Sequence, residues 1–101
     1  MADRITTALT FLDRIREEGE VTIKFRKKDG AERIMRCTLD MEKVPVAQRP
    51  QSVNLAKILR LLNTHKILHV YDMDVGDWRS VPFDRTEWLE TTDQRRYKIG
   101  G

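Results

Sequence analysis

The segment Val21-Thr22-Ile23-Lys24-Phe25-Arg26-Lys27-Lys28-Asp29-Gly30-Ala31-Glu32-Arg33-Ile34-Met35-Arg36-Cys37-Thr38-Leu39 carries the clearest structural signal in this chain. Val21, Ile23 and Phe25 alternate with Thr22, Lys24 and Arg26, the period of a strand with one buried face. Asp29-Gly30 supplies the positive backbone angles that a tight turn needs. Met35, Cys37 and Leu39 then alternate with Ile34, Arg36 and Thr38. The segment predicts a β-hairpin with one apolar face and one basic face.

Upstream, Ile5, Ala8, Leu9, Leu12 and Ile15 recur at helical spacing with Phe11 beside them. This predicts a helix over residues 4–18, with Asp3 or Thr6 as candidate cap and Gly19 as its stop. Downstream, Pro45 and Pro50 mark residues 40–52 as a loop. Leu55, Ile58, Leu59 and Leu62 then share one face of a second helix, read over residues 53–62 between a Ser52 cap and an Asn63 stop. Residues 67–72 are apolar on both faces and read as an interior strand. Asp74-Val75-Gly76-Asp77 is a turn. Residues 78–83 follow as a strand in which Pro82 favours an edge. Asp84-Arg85-Thr86 reads as a single helical turn before a last short strand over residues 87–91. The polar stretch from Thr92 is expected to fray.

These strands are too few for a two-sheet sandwich, and closing them into a small barrel would remove the exposed edges. The chain of 101 residues allows one domain with a modest core, and its 40% apolar and 35% charged residues suit a globular protein with a solvated surface. No apolar run approaches the roughly 20 residues of a membrane span. The first residues lack the layout of a signal peptide. Cys37 is the single cysteine, so no internal disulfide forms, and a reducing cytoplasm is the expected compartment. The net charge of +3 is mild, but Lys24, Arg26, Lys27, Lys28, Arg33 and Arg36 crowd the hairpin while Asp72, Asp74, Asp77 and Asp84 gather later. Such separation can steer an anionic partner or promote self-association.

Two blocks resemble a known family. Phe25–Gly30 with Arg33–Leu39, and Val70-Tyr71-Asp72 with Gly76–Asp84, are similar to the opening and closing segments of small phage-encoded WYL-like proteins. Arg79-Ser80-Val81-Pro82-Phe83-Asp84-Arg85 resembles the ending of WYL domains, with Val81 where a Phe is expected and without the Trp-Tyr-Leu triplet of the larger family. The resemblance spans residues 21–89 and leaves both helices as additions to it. It implies an SH3-like, Sm-like barrel, a phage origin, and binding of nucleic acid or nucleotide ligands. The expected fold is therefore α+β, mainly β. Residues 1–19 form an N-terminal helix, and residues 20–91 a five-stranded SH3/Sm-like barrel with a helical insertion between strands 2 and 3. Residues 92–101 form a flexible tail.

Catalytic constellations fail on spacing. His65 and His69 are read on or beside a strand, on one face but well apart, and no further ligand completes a metal site. Cys37 sits among apolar strand residues and reads as a buried thiol. Asp72, Asp74 and Asp77 break the ligand alternation of a calcium loop. No cofactor is expected. The basic hairpin is the leading functional candidate: Lys24, Arg26 and Arg36 share its outer face, Lys27 and Lys28 its tip, and Arg33 lies beside them. A rigid sheet that presents several cations suits phosphates. Trp78, Arg79 and Arg85 join this set because WYL-type barrels border their ligand groove with that segment; ion pairs to Asp77 or Asp84 are the competing reading for the arginines. The expected protein is a non-enzymatic regulatory binding module in the cytoplasm of an infected bacterium, holding nucleic acid or a nucleotide. The alternatives are an adaptor or inhibitor docked on a host bacterial protein, and a homo-oligomer that sequesters a nucleotide.

Overall fold

The computed structural model describes residues 4–100. The hairpin is present as read. β2 (Glu20–Arg26) and β3 (Glu32–Thr38) pair antiparallel from Glu20 opposite Thr38 to Arg26 opposite Glu32. The Lys27 N–H donates to the Ala31 carbonyl at 2.8 Å, and Gly30 takes φ 89° in the turn. Val21, Ile23, Phe25, Met35 and Cys37 form the buried face.

The first helix is shorter than the periodicity predicts. It runs over α1 (Ala8–Glu18), and Thr7 caps it by accepting the Thr10 N–H at 3.1 Å. Thr6 does not cap it, and Asp3 lies outside the described residues. The reason is a strand: β1 (Arg4–Ile5) pairs parallel with β7 (Arg96–Ile99), so Ile5 is buried from a strand and not from a helix. Gly19 ends α1 at φ 79°, its N–H donating to the Ile15 carbonyl. Phe11, Leu12 and Ile15 are almost wholly buried against the sheet, each contributing about 1.5–3 kcal/mol of hydrophobic stabilisation.

The second helix, α2 (Leu55–His65), lies between β3 and β4 (Ile67–Asp72), where an insertion was expected. Its cap is Asn54, which accepts the Lys57 N–H at 3.0 Å, and not Ser52. It runs through Asn63 and ends at Lys66, which takes a left-handed φ of 59°. His65 thus closes a helix and does not share a strand face with His69. Lys66 is fixed there because its carbonyl accepts the Phe83 N–H at 2.7 Å. β5 (Asp77–Pro82), a helical turn at Phe83–Arg85 and β6 (Thr86–Thr91) follow as expected.

Two expectations need correction. The stretch read as a flexible tail forms β7, antiparallel to β6 with Trp88 opposite Lys98. Tyr97 and Ile99 pack against the core while Arg96 and Lys98 face outward, so a four-residue alternation was hidden among charges. The expected closed, five-stranded barrel is instead, among the described residues, a seven-stranded sheet in the order β1-β7-β6-β2-β3-β4-β5, which is not closed. Its edges among the described residues are β1, of which Arg4–Ile5 are described, and β5. The β5 edge is guarded. The bond between Phe83 and Lys66 sets the ladder alternation, which turns Trp78, Ser80 and Pro82 outward. The Trp78 N–H is satisfied by the Asp77 carboxylate at 2.8 Å, and Pro82 has no N–H to offer. No helix among the described residues is long and apolar enough to cross a membrane.

Candidate functional site

The basic hairpin is largely neutralised by carboxylates of its own strands and of distant segments. Lys24 Nζ lies 3.3 Å from Glu32 and 3.6 Å from Glu87, and Arg26 reaches the same two carboxylates at 3.0 and 3.5 Å. The Lys24 ammonium, hydrogen-bonded to Glu32, holds that carboxyl below its ordinary pKa, with the Arg26 charge adding to the effect. Arg36 pairs with Glu20 and Asp74. Arg33 stands opposite Phe25 on the Met35 and Cys37 face, away from the outer cations, and binds the buried carboxylate of Asp72 at 2.5 Å. Asp72 in turn accepts the N–H groups of Asp74 and Val75, so this pair anchors the β4–β5 turn.

The second block behaves similarly. Arg79 pairs with Asp77 at 3.0 Å, the bland reading of the sequence. The Trp78 N–H, and then Arg79, hold the Asp77 carboxyl below its usual range. Arg85 and Arg26 meet at a small cleft of about 380 Å³ that Asp84 and Glu87 also line. Of the eight cations among the expected site residues, only Lys27, Lys28 and Arg85 carry no ion pair among the described residues. Trp78 lines a different feature.

That feature is a groove of about 750 Å³ between α1, the loop after β3, α2 and β4. Leu12, Leu39, Ile58, Leu61 and Leu68 give it apolar walls, with Trp78 at one end. Arg16, Arg49, Lys57 and His69 also line it, and no carboxylate among the described residues does. Arg16 and Lys57 are exposed and form no ion pair among the described residues. Arg49 spends only its Nε, on the Val44 carbonyl at 2.8 Å. Sequence reading missed these cations because they come singly from a helix, a loop and a second helix. The loop wall is held by Gln48. Its side chain accepts from the Tyr71 hydroxyl at 2.8 Å and donates to the Gly76 carbonyl at 2.9 Å. Its own carbonyl accepts the Trp78 Nε1–H at 2.8 Å.

Each aromatic ring has a partner or is buried. Phe11 packs on Phe83 with centroids 4.9 Å apart, Tyr71 meets Trp78 edge-on at 5.7 Å, and Phe25 is buried. Arg96 covers Trp88 at 3.9 Å, and Arg14 covers Tyr97 at 4.9 Å. A row of open rings on which successive bases could stack is not present among the described residues. Cys37 is fully buried in the core, and burial pushes its thiol pKa far up, which removes the nucleophilic thiolate.

No curated protein matches the chain, and no solved structure matches it. A family model described as WYL_2, Sm-like SH3 beta-barrel fold, matches residues 10–86. The match begins within α1 and includes α2, so both helices fall inside it in whole or part, where the sequence motifs suggested a span of 21–89 and helices added to it. With the hairpin, the β4–β5 turn and the Arg79–Arg85 segment all inside that span, the chain belongs to the WYL_2 family, of Sm-like SH3 β-barrel fold.

Proposed function

We propose that this chain is a non-enzymatic binding module for a nucleotide-class anion, and that its working surface is the groove and not the hairpin face. One observation carries the reading: Arg16, Arg49 and Lys57 line an apolar groove that no carboxylate among the described residues lines. The volume lies in the range of small-ligand sites, roughly 300–1,000 Å³. The engaged aromatic rings weigh against a single-stranded polymer and in favour of a nucleotide or a short nucleic-acid end. The protein acts as a phage-encoded regulator in the cytoplasm of the infected bacterium, a role that rests on the family resemblance.

Calorimetric titration with adenosine triphosphate at two salt concentrations tests this. Arg16→Gln and Lys57→Gln should each weaken binding by roughly three- to tenfold, and affinity should fall with salt. Lys27→Gln with Lys28→Gln should leave it unchanged. The opposite pattern would return the site to the hairpin.

A second reading is favoured by Val53 and Leu55, which are 48% and 39% exposed at the groove rim. These residues suit docking of an acidic, apolar-faced segment of a host protein. Leu55→Ser would then abolish capture of that protein while leaving nucleotide titrations untouched.

A further inference from the structure

Along β4 the strand alternation sets Leu68, Val70 and Asp72 on one face and Ile67, His69 and Tyr71 on the other. His69 is exposed and lines the groove. Its Nδ1 lies 3.1 Å from the hydroxyl of Ser80, the residue directly opposite on β5. Its Nε2 has no hydrogen-bond partner among the described residues. The charges that share the lining are all positive: Arg16 from α1, Arg49 from the loop after β3 and Lys57 from α2. The other charged groups on the elements packed against β4 lie elsewhere. Asp77 of β5 is held by Arg79 and the Trp78 N–H, and Asp72 binds Arg33 on the opposite face of β4. Arg36 of β3 pairs with Glu20 and Asp74, and Arg60, His65 and Lys66 do not line the groove. An imidazolium at His69 therefore needs a counter-charge that no described residue of the lining supplies, and an incoming phosphate would bring it. The protonated ring donates from both nitrogens. Nδ1–H is then directed to the Ser80 oxygen, which fixes the ring plane, and Nε2–H is left for the ligand.

We propose that His69 is a fourth phosphate-binding residue of the groove, and that nucleotide binding takes up a proton at its ring. The inference rests on the nucleotide reading of the groove. The linkage is reciprocal: bound phosphate favours the charged ring, and the charged ring tightens phosphate. Affinity therefore rises as pH falls from about 8 to about 6, the range in which an imidazole changes charge.

Calorimetric titration of the full chain with adenosine triphosphate at these two pH values tests this. The gain in affinity on acidification should be roughly two- to fivefold larger in the parent than in His69→Gln. The chain has two histidines, and His65→Gln, at the end of α2 and outside the groove, should behave as the parent. The ligand's own phosphate titrates in the same range against either protein, so the difference between them belongs to His69. In the unmodified chain near neutral pH, adenosine triphosphate should move the His69 imidazole NMR signal toward its protonated position and leave that of His65 in place. Equal pH dependence in the parent and His69→Gln would overturn this inference and leave the proposed function standing. So would an unmoved His69 signal in a chain that binds the nucleotide. Absence of binding at both pH values would overturn the proposed function and this inference with it.

Discussion

Gln48 concentrates three of the contacts that tie the loop after β3 to the β4–β5 hairpin. Gln48→Ala removes the two made by its side chain and leaves the Tyr71 hydroxyl and Gly76 carbonyl to find water. The expected loss is about 1–3 kcal/mol in denaturant unfolding, with a shift in tryptophan emission as Trp78 loosens. Glu32 shows the other lesson of single residues. Its carboxyl is held below the ordinary value by the Lys24 hydrogen bond and charge, although it is exposed. The stability linked to a depressed carboxyl is present above its unfolded pKa and is lost as pH falls through the folded value. Carboxyl NMR titration should therefore place the Glu32 midpoint below that of an unpaired glutamate. Lys24→Gln should move it back up; an unmoved midpoint would remove Lys24 as the cause.

At the scale of elements, β7 separates what the sequence states from what only packing supplies. The β2–β3 hairpin was legible because its alternation is long, its apolar face is unbroken and Asp29-Gly30 names the turn. Arg96–Ile99 offers a single alternation in a charged context, and it becomes a strand only because β6 and β1 flank it. The same non-locality hid the site. The hairpin cations were easy to count, but several of their partners, Asp72, Asp74 and Glu87, lie far along the chain. The unpaired cations Arg16 and Lys57 meet across one groove only after α1 and α2 have docked. Truncation after Gln94 measures the point directly. A frayed tail would be dispensable, whereas loss of β7 unpairs β1 and uncovers Ile5, a loss of about 3 kcal/mol or more. Guanidinium unfolding of the truncated chain should show that loss.

For the whole molecule, the open sheet raises the question of what in its edges opposes pairing between copies. The described part of β1, Arg4–Ile5, offers two residues, so β5 is the longer described edge. There Pro82 removes one outward donor and the Asp77 carboxylate occupies another, the Trp78 N–H. Only Ser80 keeps both outward groups free, and a single free residue is a poor template for a strand. The guard on Trp78 is ionic in part. That N–H bond, and then Arg79, hold the Asp77 carboxyl below the usual carboxylate range. It therefore stays charged, and stays bonded, through mildly acid pH, and lets go only as pH falls through the lowered value. Asp77→Ala should remove the guard at every pH. Sedimentation velocity at increasing concentration should then show association of this variant at neutral pH. The parent chain should stay at constant sedimentation coefficient there and begin to associate only in stronger acid. A variant that remains as dispersed as the parent at all concentrations would show that Pro82 and the twist of the strand suffice to close the edge.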